Sequence, residues 1–194
     1  MMGMIRALTI FAVLWGSSLA SAAVVQVSSE AELIQKSDAI VMGTVSSIST
    51  QIQPQGGVLT TAEVRVFRSL RGVSPGATVS VVVPGGQLKN GMTSYVAGSP
   101  IPKVGEWVVL LLESKGNVWT PQGLALGWIQ LKGNEAKGFV AYRELNGLSL
   151  VGENGVHIPT EPYRIWALDF ERLWSNLESS LTAIPVPANG GVKP

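Results

Sequence analysis

The chain has 194 residues, with 14 basic and 13 acidic side chains, one histidine and no cysteine. Charged residues make up 14% of it, below the roughly one quarter of an average soluble protein, and the near-neutral balance excludes a nucleic-acid binder built on a basic patch. Without cysteine there are no disulfides and no lipid-modified cysteine anchor, and a lone histidine leaves a catalytic zinc site short of its usual donors.

The N-terminus reads as an export signal. Met1–Arg6 carries one positive charge, Ala7–Trp15 is apolar, and Ala20-Ser21-Ala22 places small residues where a signal peptidase requires them. A membrane-spanning helix needs roughly 17–25 apolar residues, and this run is about half as long, so cleavage between Ala22 and Ala23 is expected. Removing 22 of 194 residues leaves 172, enough for one domain with a full core. Arg6 leaves with the signal, so 13 basic residues face 13 acidic ones. The predicted division is a signal peptide over 1–22, a single domain over 23–183 and a Pro/Gly-rich flexible tail over 184–194. The mature protein is expected to be exported, periplasmic or extracellular, with no transmembrane segment.

Ser29-Glu30-Ala31-Glu32 has capping-box spacing and predicts a short helix ending at Ser37-Asp38. Ala39–Ile48 reads as a strand, with Gly43 a bulge or a point of close backbone approach. A polar turn with Pro54 and Gly56-Gly57 leads to a second strand, Val58–Leu70, where Val64 and Val66 alternate with Glu63 and Arg65. Arg71–Gly76 is a turn by composition, and Thr78–Val83 is a β-branched strand stopped by Pro84-Gly85-Gly86. Gly85–Val104, rich in glycine and proline, predicts a long surface loop, a class of segment that often carries function. Glu106–Glu113 is the most apolar strand. Shorter strands are expected at Val118-Trp119, Leu124–Leu131, Gly138–Arg143 and Leu148–Val151. Thr160 and Pro162 open a C-terminal helix on which Trp166, Phe170, Leu173, Trp174, Leu177 and Leu181 form an apolar stripe. The stripe lies against the sheet or against a partner.

No catalytic constellation emerges. There is no Gly-x-Ser-x-Gly elbow, His157 lacks an orienting partner by sequence, and Pro84-Gly85-Gly86 lacks the Lys-Ser/Thr of a phosphate loop. The acidic residues Glu161, Asp169, Glu171 and Glu178 of the last helix fit ordinary surface pairing with Arg164 and Arg172. Trp119 and Trp128, flanking Pro121-Gln122-Gly123, are the one candidate surface aromatic pair, although tryptophan is more often packed in a core. The chemistry calls for no cofactor and no metal, and the protein is expected not to be an enzyme.

Three stretches carry a resemblance. Ser37–Val45 (Ser-Asp-Ala-Ile-Val-Met-Gly-Thr-Val) leads to Ala62–Gly72 (Ala-Glu-Val-Arg-Val-Phe-Arg-Ser-Leu-Arg-Gly) and later to Val104–Leu112 (Val-Gly-Glu-Trp-Val-Val-Leu-Leu-Leu). The order of short helix, strand, long hairpin, strand, loop and apolar strand over residues 29–131 resembles the netrin-like module of tissue inhibitors of metalloproteinases, a five-stranded OB barrel. Pro84-Gly85-Gly86, through Val96-Ala97-Gly98-Ser99-Pro100 to Gly105-Glu106, also resembles a family of exported bacterial proteins of unassigned function. The resemblance implies a barrel. Inhibition does not carry over, because those inhibitors chelate zinc through a disulfide-held N-terminal cysteine that this chain lacks.

The fold expected is therefore mainly β: an OB-like closed barrel with extra β-hairpins, a short N-terminal helix and a C-terminal amphipathic helix. The function expected is a non-enzymatic module binding an extracellular or envelope protein, such as a protease. Its contact loop would contain Gly85, Gly86, Tyr95, Gly98 and Pro100. The alternatives are an envelope assembly protein docking through Trp166, Phe170 and Trp174, and a hydrolase with two carboxylates in a pocket.

Overall fold

The computed structural model describes residues 23–26, 30–134, 138–145, 148–151, 157–158 and 170–182. The expected signal peptide, the Ser29 cap, the Thr160–Pro162 helix start, Trp166 and the tail lie outside these residues. The elements are β1 (Ala23–Gln26), α1 (Glu30–Lys36), β2 (Ala39–Ile52), β3 (Val58–Arg71), β4 (Thr78–Pro84), β5 (Gly86–Gln87), β6 (Thr93–Ser94), β7 (Trp107–Lys115), β8 (Val118–Pro121), a 3-10 turn (Leu124–Gly127), β9 (Trp128–Asn134), β10 (Gly138–Tyr142), β11 (Leu148–Val151), β12 (His157–Ile158) and α2 (Phe170–Thr182). Among the described residues, no helix is long and apolar enough to cross a membrane.

The protein is mainly β, and its centre is a seven-stranded mixed sheet ordered β10-β9-β7-β2-β3-β4-β8. One edge of β7 is divided between two partners. Trp107–Leu110 pairs with β9, while Leu112–Lys115 pairs with β8. β8 also meets β4 in parallel, with Trp119 opposite Val81, so the pairings run in a ring through β7, β2, β3, β4 and β8. A separate small sheet sets β1 parallel to β11, with β12 antiparallel to β11.

Period-two alternation feeds two apolar cores. Val41, Val45, Val64, Val66, Val81, Val108, Leu110, Leu112 and Trp128 point to the inner one. Ile40, Met42, Val109, Leu111, Ile129 and Leu131 point the other way, into a core shared with Leu33 and Ile34 of α1 and with Trp174 and Leu177 of α2. This is why Trp107–Leu112 reads as a continuous apolar run: it is covered on both faces.

Local chemistry sets the joints. Arg71 Nη1 donates to the Ser37 carbonyl at 2.9 Å and to the Ile34 carbonyl at 3.4 Å, placing a cation on the C-terminal end of α1, where carbonyls lack helical partners. Asp38 Oδ2 accepts the Ser114 N–H at 2.8 Å and fastens the start of β2 to β7. At Gly43 the β2–β3 register shifts, and a Cβ there would run into the Arg65 carbonyl. The bulge expected from the sequence is present, and the close approach explains why the position is glycine.

One strand expectation needs correction. Leu124–Leu131 is not one strand, because Leu124–Gly127 is a 3-10 turn and β9 starts at Trp128. Gly123 and Leu124 are both left-handed (φ 63° and 56°), and Gly127 packs so tightly on Gln122 and the Leu111 carbonyl that no side chain fits. That turn separates β8, paired with the C-terminal part of this β7 edge, from β9, paired with its N-terminal part.

Candidate functional site

The 85–104 loop is a surface segment, as expected, and it is pinned along its length. Gly85 (φ 84°) donates its N–H to the Val58 carbonyl at 2.7 Å, and its own carbonyl accepts the Thr60 hydroxyl at 2.6 Å. Thr60 in turn shares a 3.1 Å hydrogen bond with Thr50 across the β2–β3 hairpin. Gly86 (φ 130°) lies directly over Thr60, leaving no room for a side chain. β5 and β6 then form a small hairpin. Its turn is closed by Leu88 N–H to the Met92 carbonyl at 2.8 Å and Met92 N–H to Asn90 Oδ1 at 3.1 Å.

The return path is equally tied. The Ser99 hydroxyl donates to the Pro84 carbonyl at 2.6 Å, and the Gly98 carbonyl accepts the Ala125 N–H of the 3-10 turn at 2.9 Å. Gly105 N–H reaches the Val45 carbonyl at 2.8 Å, and Val45 N–H reaches the Glu106 carbonyl at 3.0 Å. Gly85, Gly86, Tyr95 and Pro100 line one cleft of about 490 Å³, together with Ile48, Thr50, Thr60 and Ile101. Gly98 does not line it; this residue anchors the loop to the 3-10 turn.

The surface around this cleft is unusual in two respects. Of the seven large apolar side chains exposed among the described residues, five sit on the loop or on the neighbouring hairpin: Ile52 (63%), Met92 (62%), Tyr95 (61%), Ile101 (54%) and Val104 (64%). Residues 39–62 contain no charged residue, and residues 72–105 contain only Lys89 and Lys103. Both lysines are without an ion-pair partner among the described residues.

A second cleft, of about 740 Å³, also has Lys103 in its wall. It is lined by Lys103, Glu106, Lys132, Tyr142, Arg143 and Glu144, with Trp107 and Gln130 also in its wall. Lys132 Nζ sits 4.2 Å from the centre of the Tyr142 ring. Arg143 Nη2 donates to Glu30 Oε1 at 3.0 Å, bracing α1 against the end of β10. Glu106 Oε2 accepts the Lys103 N–H at 3.3 Å. Burial raises the Glu106 pKa above the ordinary carboxylate value and Glu144 adds to the rise, while the Lys103 N–H and the nearby ammonium groups oppose it. No sequence pattern announces this second cleft, since its charged residues come from the 103–106 turn, β9 and the segment after β10. They meet only through strand pairing.

The tryptophans are largely structural. Trp128 is 1% exposed in the inner core, and Trp119 is half-buried against that core. They form no surface platform. Trp174 is 4% exposed in the outer core, with the Arg68 guanidinium 4.7 Å from its ring centre. Its side chain is turned into the fold. Phe170 opens α2, and Trp166 lies outside the described residues. His157 begins β12, and Glu178 is exposed.

No protein-family model matches the chain, and no curated protein matches it.

Proposed function

We propose that the chain is an exported, non-enzymatic binding module on an OB-type barrel, which engages an extracellular or envelope protein through the 85–104 loop. The barrel reading is supported by the ring order β2-β3-β4-β8-β7 with its single parallel pair, β4 and β8. Five strands in that order form the partly open Greek-key barrel of OB folds. Export is supported by the composition of residues 1–22.

One observation carries the functional reading: exposed apolar side chains concentrate on a pinned, charge-poor end of the molecule. Contact surfaces are depleted of charge at their centres and enriched in aromatic residues and methionine, and a pre-ordered loop loses less entropy on association. A protease is one partner class that such a pre-ordered loop suits. The test has two parts. N-terminal sequencing of the protein from fractionated cells should give a chain starting at Ala23 outside the cytoplasm. Affinity capture with the mature protein should retain an exported protein that an Ile101→Asp variant of equal thermal stability does not retain. A cytoplasmic, uncleaved chain, or capture unaffected by Ile101→Asp, sinks the reading.

Docking through the C-terminal helix ranks lower because Trp174 is occupied in the outer core. A hydrolase reading has a specific observation behind it: Glu106, with its raised pKa, and Glu144 line the same cleft, and acid–base pairs are built from carboxylates pushed apart in pKa. It ranks second because the Glu106 carboxylate is engaged by the Lys103 N–H of its own turn. Turnover of a chromogenic glycoside panel that disappears in Glu106→Gln would promote it.

A further inference from the structure

We infer that the charged cleft beside β7, β9 and β10 is a second binding site, and that its ligand is a short neutral saccharide held through Gln130, Tyr142 and Glu106. The site is separate from the loop contact and does not depend on that reading.

Strand register assembles it. Val108 lies opposite Gln130, and Gln130 lies opposite Tyr142, so Gln130 and Tyr142 share one face of the β9–β10 pair. Lys132, two residues further along β9, falls on the same face and sets its ammonium over the Tyr142 ring. Glu106 and Trp107, at the start of β7, complete the wall. The cleft measures about 740 Å³, within the range of small-molecule sites.

Its neutral polar groups are open. Gln130 is 3% exposed and lines the cleft, yet its side-chain amide has no hydrogen-bond partner among the described residues. The Tyr142 hydroxyl has none there either, and Glu106 uses only Oε2, toward the Lys103 N–H. Buried amides are normally paired, because an unpaired one is costly. A ligand in the cleft supplies the missing partners.

Charge narrows the class of that ligand. Lys103, Lys132 and Arg143 are balanced by Glu106, Glu144 and Glu30, the last bonded to Arg143. An anion or a cation therefore gains at one wall group and loses at its neighbour. A purely apolar ligand would cover the Gln130 amide and the Tyr142 hydroxyl without bonding them. Sugar hydroxyls meet both conditions, since each donates and accepts at once. Neighbouring hydroxyls can donate to Glu106 Oε1 and the Gln130 carbonyl oxygen while accepting from the Gln130 amide and Lys132. The C–H face of a pyranose suits the aromatic wall at Trp107, which stacks on Phe67 at 5.1 Å.

A panel of short glucan, chitin, mannan and galactan oligosaccharides, screened on the purified protein by saturation-transfer NMR and titrated by calorimetry, tests the inference. At least one class should bind saturably. Gln130→Leu should abolish that binding and melt at or above the wild-type temperature, because it removes an unpaired buried amide without breaking a hydrogen bond. Tyr142→Phe, at a half-buried site, should weaken the same saccharide by about fivefold, the worth of one neutral hydrogen bond, with an unchanged melt. If Gln130→Leu fails to fold, Tyr142→Phe decides alone. Silence across the panel overturns the inference. So does tighter binding of inorganic phosphate or of a dipeptide, and so does saccharide affinity that survives either substitution. Cleavage of the bound saccharide would uphold the inference and promote the hydrolase reading.

Discussion

The two clefts both have Lys103 in their walls, and they use opposite chemistry. One is walled by apolar groups and internally bonded hydroxyls and has one charged residue in its lining; the other gathers Lys103, Glu106, Lys132, Arg143 and Glu144. In the charged cleft much of the electrostatics is satisfied internally: Arg143 with Glu30, Lys132 over Tyr142, Glu106 with the Lys103 N–H. In the apolar cleft the side chains around the rim are left facing water. Charge brought together by folding can be consumed in bracing the fold, whereas apolar surface left out of two well-filled cores is available for contact.

The largest effect removes the frame on which both clefts depend. Trp128 fills the inner core at 1% exposure, on the same β9 face as Gln130 of the charged cleft. Trp128→Ala should destabilise the protein by about 3–5 kcal/mol through lost packing and a residual cavity. Its indole Nε1 has no hydrogen-bond partner among the described residues, so packing is the main loss. A denaturant midpoint close to wild type would show that the ring does not depend on this residue. Next in size is Gly86→Ala, which places a Cβ against the Thr60 hydroxyl at a φ of 130°. The strain should amount to about 1–3 kcal/mol. It should disorder the apolar cleft alone, so hydrogen exchange should rise at Gly85 and Ser99 and stay unchanged in β9 and β10.

How much of this was legible in the sequence depends on whether the signal was local. β2, β3, β4 and β7 were readable because their periodicity and their Pro/Gly punctuation lie within a few residues of each strand. Gly43 was readable for the same reason. The long loop was marked by composition, and Tyr95 and Pro100, two of the residues expected to make contact, line a cleft. What failed was long-range or conformational. The split edge of β7 depends on a left-handed Gly123-Leu124 step inside a stretch that looked like a continuous strand. The charged cleft depends on register between β9 and β10, which sets Tyr142 opposite Gln130, and no spacing rule announces that. Of the stripe expected on the last helix, Trp174, Leu177 and Leu181 pack with the outer core, and only packing shows that Trp174 faces the sheet.

A paired substitution sharpens the contrast at the level of binding. Tyr95→Ala removes a 61% exposed ring and should leave the melting temperature unchanged while weakening the partner by about tenfold, about 1.4 kcal/mol. Lys132→Gln, in the charged cleft, should leave affinity within error. Calorimetry on both variants decides it, and a reversed ranking would move the contact surface to the other cleft.

The smallest effect tests the turn that ties Lys103 to β7. Burial holds the Glu106 pKa above its unfolded value, so the folded state binds the proton more tightly than the unfolded chain does. Between the two values the folded protein carries more protons, and stability must fall as pH rises through that window. The penalty is fully present above the folded pKa and absent below the unfolded one, at about pH 4. Glu106→Gln keeps a carbonyl oxygen able to accept the Lys103 N–H and removes the charge. The variant should melt slightly higher than wild type at neutral pH, and the two curves should converge in acid. A difference that persists unchanged from pH 7 to pH 4 would mean that desolvation of the carboxylate does not govern this turn, and that its geometry is set instead by the Val45 hydrogen bonds on either side.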